Sequence, residues 1–262
     1  MKQRKNKRNL LIVSVLLLAL CFVTGCGLFK SDTEQLKDLL EDKYGEKFEI
    51  ESYYYDGDMW AMCYPVNDPT LIFQVRTDEH AERIKYDYYL QTVVVRQIEE
   101  EYEPLVEQVF PGSYLSVDIS NTLASMPENF PKADEVKLAD ITQYCLERDL
   151  SSDIIFHIFV DTSQISEGNI AEEYVFFRDE IGVRVANGEL PDTSIDLYFG
   201  DASFVQECED IIRDMTWRGS SDIYNKIEEC PKSWMGYHEN GEVCFTLEEY
   251  IEMRAEALNN GK

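Results

Sequence analysis

The chain has 262 residues, 44% hydrophobic and 12% aromatic, enough apolar material for a core in one large or two small domains and too much for intrinsic disorder. Its 51 acidic and 24 basic residues leave a net charge of −27 at pH 7. A surface that acidic is repelled by nucleic-acid phosphates and anionic lipid headgroups, which excludes DNA, RNA and peripheral membrane binding and leaves cations and basic partners; its plainest role is to keep the protein soluble.

In chain order, the first nine residues carry Lys2, Arg4, Lys5, Lys7 and Arg8 and no acid, and an apolar run broken only by Ser14 follows from Leu10 to Val23. Fourteen residues at about 1.5 Å each make a helix of roughly 21 Å, short of the ~30 Å hydrocarbon core. The segment therefore reads as a cleaved signal peptide rather than a permanent span. It ends in Val23-Thr24-Gly25-Cys26-Gly27, which resembles the lipobox of bacterial lipoproteins, with Val23 in place of the more usual leucine. The resemblance implies a diacylglyceryl group on the thiol of Cys26, cleavage before it, and Cys26 as the mature N-terminus. Ordinary secretory cleavage at Thr24-Gly25 or Cys26-Gly27 is the plainer alternative. Two acyl chains hold a protein stably on a membrane where one does not. Loss of residues 1–25 removes five basic residues and shifts the net charge from −27 to −32.

Residues 26–31 form the tether, at most ~20 Å long at about 3.5 Å per residue. Residues 32–44 read as an amphipathic helix capped by Ser31 or Asp32, with Leu36, Leu39, Leu40 and Tyr44 at helical spacing and Gly45 as C-cap. Strands are expected at Phe48 to Tyr55, Trp60 to Pro65 and Leu71 to Arg76, with turns at Asp56-Gly57-Asp58 and Asn67-Asp68-Pro69. A long helix follows, from about Asp87 to Phe110, on the stripe Leu90, Val94, Ile98, Tyr102, Leu105 and Val109. Pro104 should kink or split it, and Val93 to Val95 fit a strand equally well. Tyr114 to Ser120 alternates as a strand.

The Pro- and Asn-containing stretch 121–136 reads as a linker, which divides the mature chain into an N-terminal α+β unit, 32–120, and a C-terminal α+β unit, 137–262. The second unit reads helix, strand, helix, strand, helix, at Leu138 to Arg148, Asp153 to Asp161, about Ile170 to Asn187, Ser194 to Phe199 and Ala202 to Arg213, and its helix, strand, helix, strand order echoes the first. The fold class expected is α+β, two small units of helices and antiparallel strands, with an internal duplication and generic alternation both open. In the tail, Asn240-Gly241 marks a hairpin within Tyr237 to Thr246, and Thr246 with Glu249 forms a capping box that opens a last helix to about Leu258.

Candidate chemistry is sparse. Besides Cys26, the mature cysteines Cys63, Cys145, Cys208, Cys230 and Cys244 are odd in number and lack the spacing of a zinc or redox site. If one disulfide forms, the pair is Cys230 with Cys244. His157 lies in an apolar strand, where a core or sheet-face histidine is the ordinary reading; His80 and His238 read as surface. No H-E-x-x-H, G-x-S-x-G, S-x-x-K or phosphate loop occurs. Asp161 to Glu172 has the outline of a calcium loop, but Ile165 and Ser166 stand where a ligand and the turn glycine belong. Tyr53-Tyr54-Tyr55 and Tyr86, Tyr88 and Tyr89 fit sugar stacking or ordinary cross-strand pairing. No catalytic residue, cofactor or metal is called for.

Lys43-Tyr44-Gly45-Glu46-Lys47-Phe48, Tyr64-Pro65 and Asp87-Tyr88-Tyr89-Leu90 together resemble a set of uncharacterised lipoproteins of Gram-positive anaerobes over residues 1 to 120. The resemblance implies a surface-anchored α+β protein and no particular activity. The expectation is a non-enzymatic binding protein on the extracytoplasmic face of the cell membrane, held there through lipidated Cys26 and meeting an envelope protein partner through its acidic surface. A solute- or glycan-binding lipoprotein serving a transporter, and a hydrolase with its residues scattered in sequence, are the alternatives; a cleft between the halves favours the first, and carboxylates in a concave site around His157 the second.

Overall fold

A computed structural model describes residues 30–120, 130–148, 153–165, 167–213, 227, 232–238 and 241–260. The leader with Cys26, most of the tether, Cys230 and Asn240 lie outside the described residues. Among those described, no helix is long and apolar enough to cross a membrane.

Helix α1, Asp32–Tyr44, starts at a reciprocal cap: the Glu34 amide donates to Ser31 Oγ, and the Ser31 amide to the Glu34 carboxylate at 3.0 Å. It stops at Gly45, whose φ of 76° places the chain in the left-handed region that glycine enters without strain. Leu36 and Leu40 are fully buried, each stabilising the fold by about 1.5–3 kcal/mol. Strands β1, Phe48–Asp56, β2, Asp58–Pro65, β3, Phe73–Thr77, and β4, Ile84–Asp87, form an antiparallel meander in chain order. The turns are those expected, Asp56 pairing with Asp58 around Gly57 and the Asp68 carboxylate accepting the Thr70 amide at 3.2 Å.

Helix α2, Tyr89–Val109, begins after β4, a strand that charged Lys85 and Asp87 hide in the sequence. It runs through Pro104 as one helix. Pro104 and Glu100 lie on the exposed side, where solvent can take the carbonyl that proline leaves without a partner. The valine run is helical because Leu90, Val94 and Ile98 are buried on one stripe.

Strands β5, Tyr114–Ser120, β6, Asp153–Asp161, β7, Thr193–Gly200, and β8, Lys232–Gly236, make a second sheet in that order. Between β5 and β6 lies α3, Leu138–Leu146. The β6–β7 pair is parallel, its crossover formed by a helical run: a 3₁₀ turn at Glu167–Asn169, α4 at Ile170–Val175, a π-helical segment at Phe176–Gly182 and α5 at Val183–Ala186. The π segment is where Gly182 meets Gly241 so closely that a Cβ on Gly182 would fall 2.4 Å from the Gly241 carbonyl oxygen, and where the Tyr237 hydroxyl donates to the Phe177 carbonyl at 3.0 Å. Helix α6, Ala202–Arg213, covers Phe159 and Tyr198 with Val205, Cys208 and Ile212. Helix α7, Leu247–Asn260, opens with the expected box, the Glu249 amide donating to Thr246 Oγ1 and the Thr246 amide to Glu249.

The fold is thus α+β with two four-stranded sheets. The second is mixed rather than antiparallel, and its connectivity does not repeat that of the first, so the similar order of elements in the two halves is not matched by a duplicated topology. Buried residues from Leu36 to Ala257 form one cluster. The described end of the 121–136 stretch contributes to it, with Phe130 and Ala133 packed against it and Val136 fully buried.

Candidate functional site

A cavity of about 660 Å³ opens between the two sheets. Its walls are the β2–β3 loop at Pro69 and Thr70, one stripe of α2, strand β5 from Tyr114 to Val117, and the end of α6 at Ile212 and Arg213. The α2 stripe is Thr92, Arg96, Glu99 and Glu103, at the three- and four-residue spacing that puts side chains on one helix face.

Strand β5 is the edge of its sheet, and α2 side chains guard it. The Val117 amide donates to Glu99 Oε1 at 2.9 Å, and Gln91 Nε2 donates to the Ile119 carbonyl at 3.0 Å. Such capping satisfies backbone groups that would otherwise invite strand pairing. Arg96 fixes the loop, donating to Asp68 at 2.7 Å and to the Thr70 carbonyl at 2.7 Å. The Thr70 hydroxyl, with Arg96, holds the Asp68 carboxyl below its usual range. Arg213 pairs with Glu209 at 2.6 Å. Both guanidinium groups of the cleft thus have carboxylates of their own, whereas Glu100 and Glu103 at the rim have no basic partner among the described residues. Burial and the nearby Glu99 push the Tyr114 phenol well above its ordinary pKa, so it faces the cleft as a neutral hydroxyl. The buried Thr92 Oγ1 has no hydrogen-bond partner among the described residues.

No family model matches the chain, and no curated protein matches it. Among solved structures it is similar to the crystal structure of a DUF5037 family protein from Ruminococcus gnavus ATCC 29149, with a TM-score of 0.61 and 19% identity over 85% of this chain and 98% of that one. At that identity the likeness is one of fold.

The residues singled out in the sequence fall elsewhere than the cleft. Strand register sets Ser116, His157 and Asp196 side by side, and His157 Nδ1 lies 3.5 Å from Asp196 Oδ2 and 3.3 Å from the Tyr198 hydroxyl. These are the residue types of a hydrolytic triad, and Asp196 and Asp118 supply the carboxylates. But Ser116, although on the cleft wall, is only 2% exposed, which keeps a substrate carbonyl from its hydroxyl, and His157 does not line the cleft. Burial pushes the imidazole below its usual pKa against the pull of Asp196 and Asp118.

Of the tyrosine clusters, Tyr54 and Tyr86 belong to the open face of the first sheet, whereas Tyr53 and Tyr55 alternate onto its other face, where the Tyr55 hydroxyl donates to Asp32 of α1. Tyr54, Trp60, Arg76 and Tyr86 stand in one register row across the four strands. The Tyr54 and Trp60 rings are parallel within 4°, and the Arg76 guanidinium lies 4.5 Å from the Trp60 ring and 5.2 Å from that of Tyr86. Trp60 is thereby engaged by neighbours on both sides, which accounts for the row without a sugar. Tyr89, by contrast, is buried with Phe48 and Phe73.

Cys63, Cys145 and Cys208 are buried and Cys244 is exposed. Its proposed partner Cys230, like Cys26, is outside the described residues. Asp161 accepts from the amide and hydroxyl of Ser163, and no group of three or more metal-ligating side chains occurs among the described residues. His80 and His238 are exposed. The cleft went unseen in the sequence because its walls come from four separate stretches; the one local signal was the run of glutamates from Glu99 to Glu103.

Proposed function

We propose that the chain is a lipid-anchored extracytoplasmic binding protein whose cleft between the sheets takes a solute or peptide bearing a positive charge. The cleft carries this reading. Its volume lies within the roughly 300–1,000 Å³ of small-molecule sites, and the rim carboxylates of Glu100 and Glu103 are left to an incoming cation by arginines already paired. Apolar Ile72, Val95 and Ile212 supply contact for an aliphatic body. The lipobox-like Val23-Thr24-Gly25-Cys26 supports the anchored location.

Thermal unfolding of the detergent-purified full chain with spermidine, trilysine or glucose tests the cleft. Saturating cationic ligand should raise the midpoint, by the equivalent of about 2.7 kcal/mol at a hundredfold excess over Kd. Glu100→Gln with Glu103→Gln should abolish the rise. A response to glucose alone would favour the glycan alternative, and no response to any of the three would overturn the cleft reading. In the same preparations, Cys26→Ala should move the chain out of the membrane fraction.

A further inference from the structure

A second concave surface lies on another face of α2. It is a groove of about 500 Å³ between the C-terminal half of α2 and the helical run that crosses from β6 to β7. One wall presents Leu105 and Val109; the other presents Val175 and Phe176, where α4 passes into the π-helical segment. Leu105 and Val109 are four residues apart on α2, and Ala171 and Val175 are four apart on the facing run with Phe176 beside them, so two helix faces with apolar centres line a common groove with no third element between them among the lining residues. Val175 is 43% exposed and so open to a partner.

The rim has one sign of charge. Glu172, Asp179 and Glu180 line the groove, and no lysine or arginine does. Arg178 stands just outside and takes Asp179 in a bidentate pair at 2.5 and 2.8 Å, which lowers that carboxyl's pKa. Glu172 and Glu180 have no basic partner among the described residues, and they bracket Val175 and Phe176. The π-helical segment adds a separate indication, since such interruptions of an α-helix are frequent at functional sites.

We infer that this groove seats a basic amphipathic helix of a partner protein, its apolar stripe on Leu105, Val109, Val175 and Phe176 and its lysines or arginines on Glu172 and Glu180. The nine residues from Glu172 to Glu180 advance about 12 Å in eight steps, room for about two turns of an antiparallel or parallel helix. Charge decides against a second copy of this chain as occupant, since at net −27 it would bring like charge to the rim. The inference uses none of the cleft residues and stands or falls apart from the cleft reading.

The test is a fluorescence-anisotropy titration of the full chain, reconstituted in phosphatidylcholine nanodiscs with empty nanodiscs as blank. The probe is a labelled 14-residue peptide with leucines at positions i, i+3, i+4 and i+7 and lysines at most others. Saturable binding should weaken at least tenfold in Glu172→Lys with Glu180→Lys, and at least tenfold in Val175→Asp, with unfolding midpoints within two or three degrees of the parent. A peptide of the same composition scrambled to destroy the stripe, and one with glutamate for lysine, should bind at least tenfold more weakly. Equal binding of either control peptide, unchanged affinity in the well-folded rim and floor variants, or no saturable binding at all would each overturn the inference. Self-association that competes with the peptide would assign the groove to a second copy instead.

Discussion

The two sheets are alike in size and opposite in how they treat their polar residues. The first is a meander whose neighbours in space are neighbours in sequence, and one of its faces is open. Its solvent-side residues therefore find partners across the strands: Tyr54, Trp60, Arg76 and Tyr86 in a row, with the Asp58 carboxylate taking Arg76 at 2.6 Å and Lys85 at 2.5 Å. The second sheet holds a parallel pair, and its central strands are covered on both faces, so β6 is buried without a break from Ile158 to Asp161. Polar groups there have little water to turn to: the side chains of His157 and Asp196 are 16% and 25% exposed, and that of Glu173 not at all. They are satisfied inside the protein, as with His157, Asp196 and Tyr198 on the sheet and Glu173 with Arg254 behind it. Covering both faces of a sheet turns polar partners from an accessory into a requirement.

The strongest test of that contrast is the ion pair between α4 and α7. Glu173 and Arg254 are 0% and 3% exposed, joined at 2.8 and 2.9 Å, and the Tyr250 hydroxyl donates to the same carboxylate at 2.6 Å. Glu173→Ala should cost about 3–5 kcal/mol in urea unfolding, because it strands a guanidinium in the core. Glu173→Met with Arg254→Leu should recover most of that loss, since a buried pair contributes little net stability over apolar residues of similar size. A single-variant cost under about 1 kcal/mol would mean that the second half tolerates an unpaired charge and that the contrast fails.

The first sheet should respond less. Trp60→Ala removes the stack on Tyr54 and the cation contact with Arg76, and roughly 1–2 kcal/mol is expected from one aromatic pair and one cation–π contact at a half-exposed site. Arg76→Lys keeps the charge but loses the planar group, with a smaller loss expected. Unfolding midpoints of the two variants decide it; a Trp60→Ala cost as large as that of Glu173→Ala would erase the difference between the sheets.

The same physics decides what could be read from the sequence. Glycine in left-handed turns at Gly45 and Gly57, the Ser31/Glu34 and Thr246/Glu249 boxes, and the Leu90, Val94, Ile98 stripe are local, and each is where its residues imply. Strands β4 and β8 were hidden because Ile84-Lys85-Tyr86-Asp87 and Lys232-Ser233-Trp234-Met235-Gly236 draw their stability from pairing with β3 and β7, not from their own pattern. The parallel pairing of β6 with β7 is likewise long-range. Glu173 and Arg254 look like any charged helix residues in a chain where 29% are charged, and only the approach of α7 to α4 makes them a pair. The cleft assembles Thr70, Glu99, Tyr114 and Arg213 from separate stretches, so spacing held no record of it.

The smallest expected effect concerns pH and again separates the sheets. His157 is the one histidine of the second sheet's interior, and burial lowers its pKa from the ordinary ~6.5. Above that value the imidazole is neutral in folded and unfolded chains alike and contributes no pH dependence. As pH falls through about 6.5 the unfolded chain takes up a proton that the folded chain resists, so stability should decline from there toward the lowered folded value. Asp196 and Asp118, which favour the charged ring, limit the size of the effect. In the first half, His80 is exposed, and the Asp58 carboxyl, held low chiefly by Lys85, loses its contribution only below the ordinary carboxylate range near pH 4. Urea unfolding at pH 7.5, 6.5 and 5.5 should show a decline in the parent that flattens in His157→Gln and persists in His80→Gln. A decline unchanged in His157→Gln would mean that the buried ring titrates as freely as an exposed one, and that the second sheet's covered faces do not exclude water as its burial pattern implies.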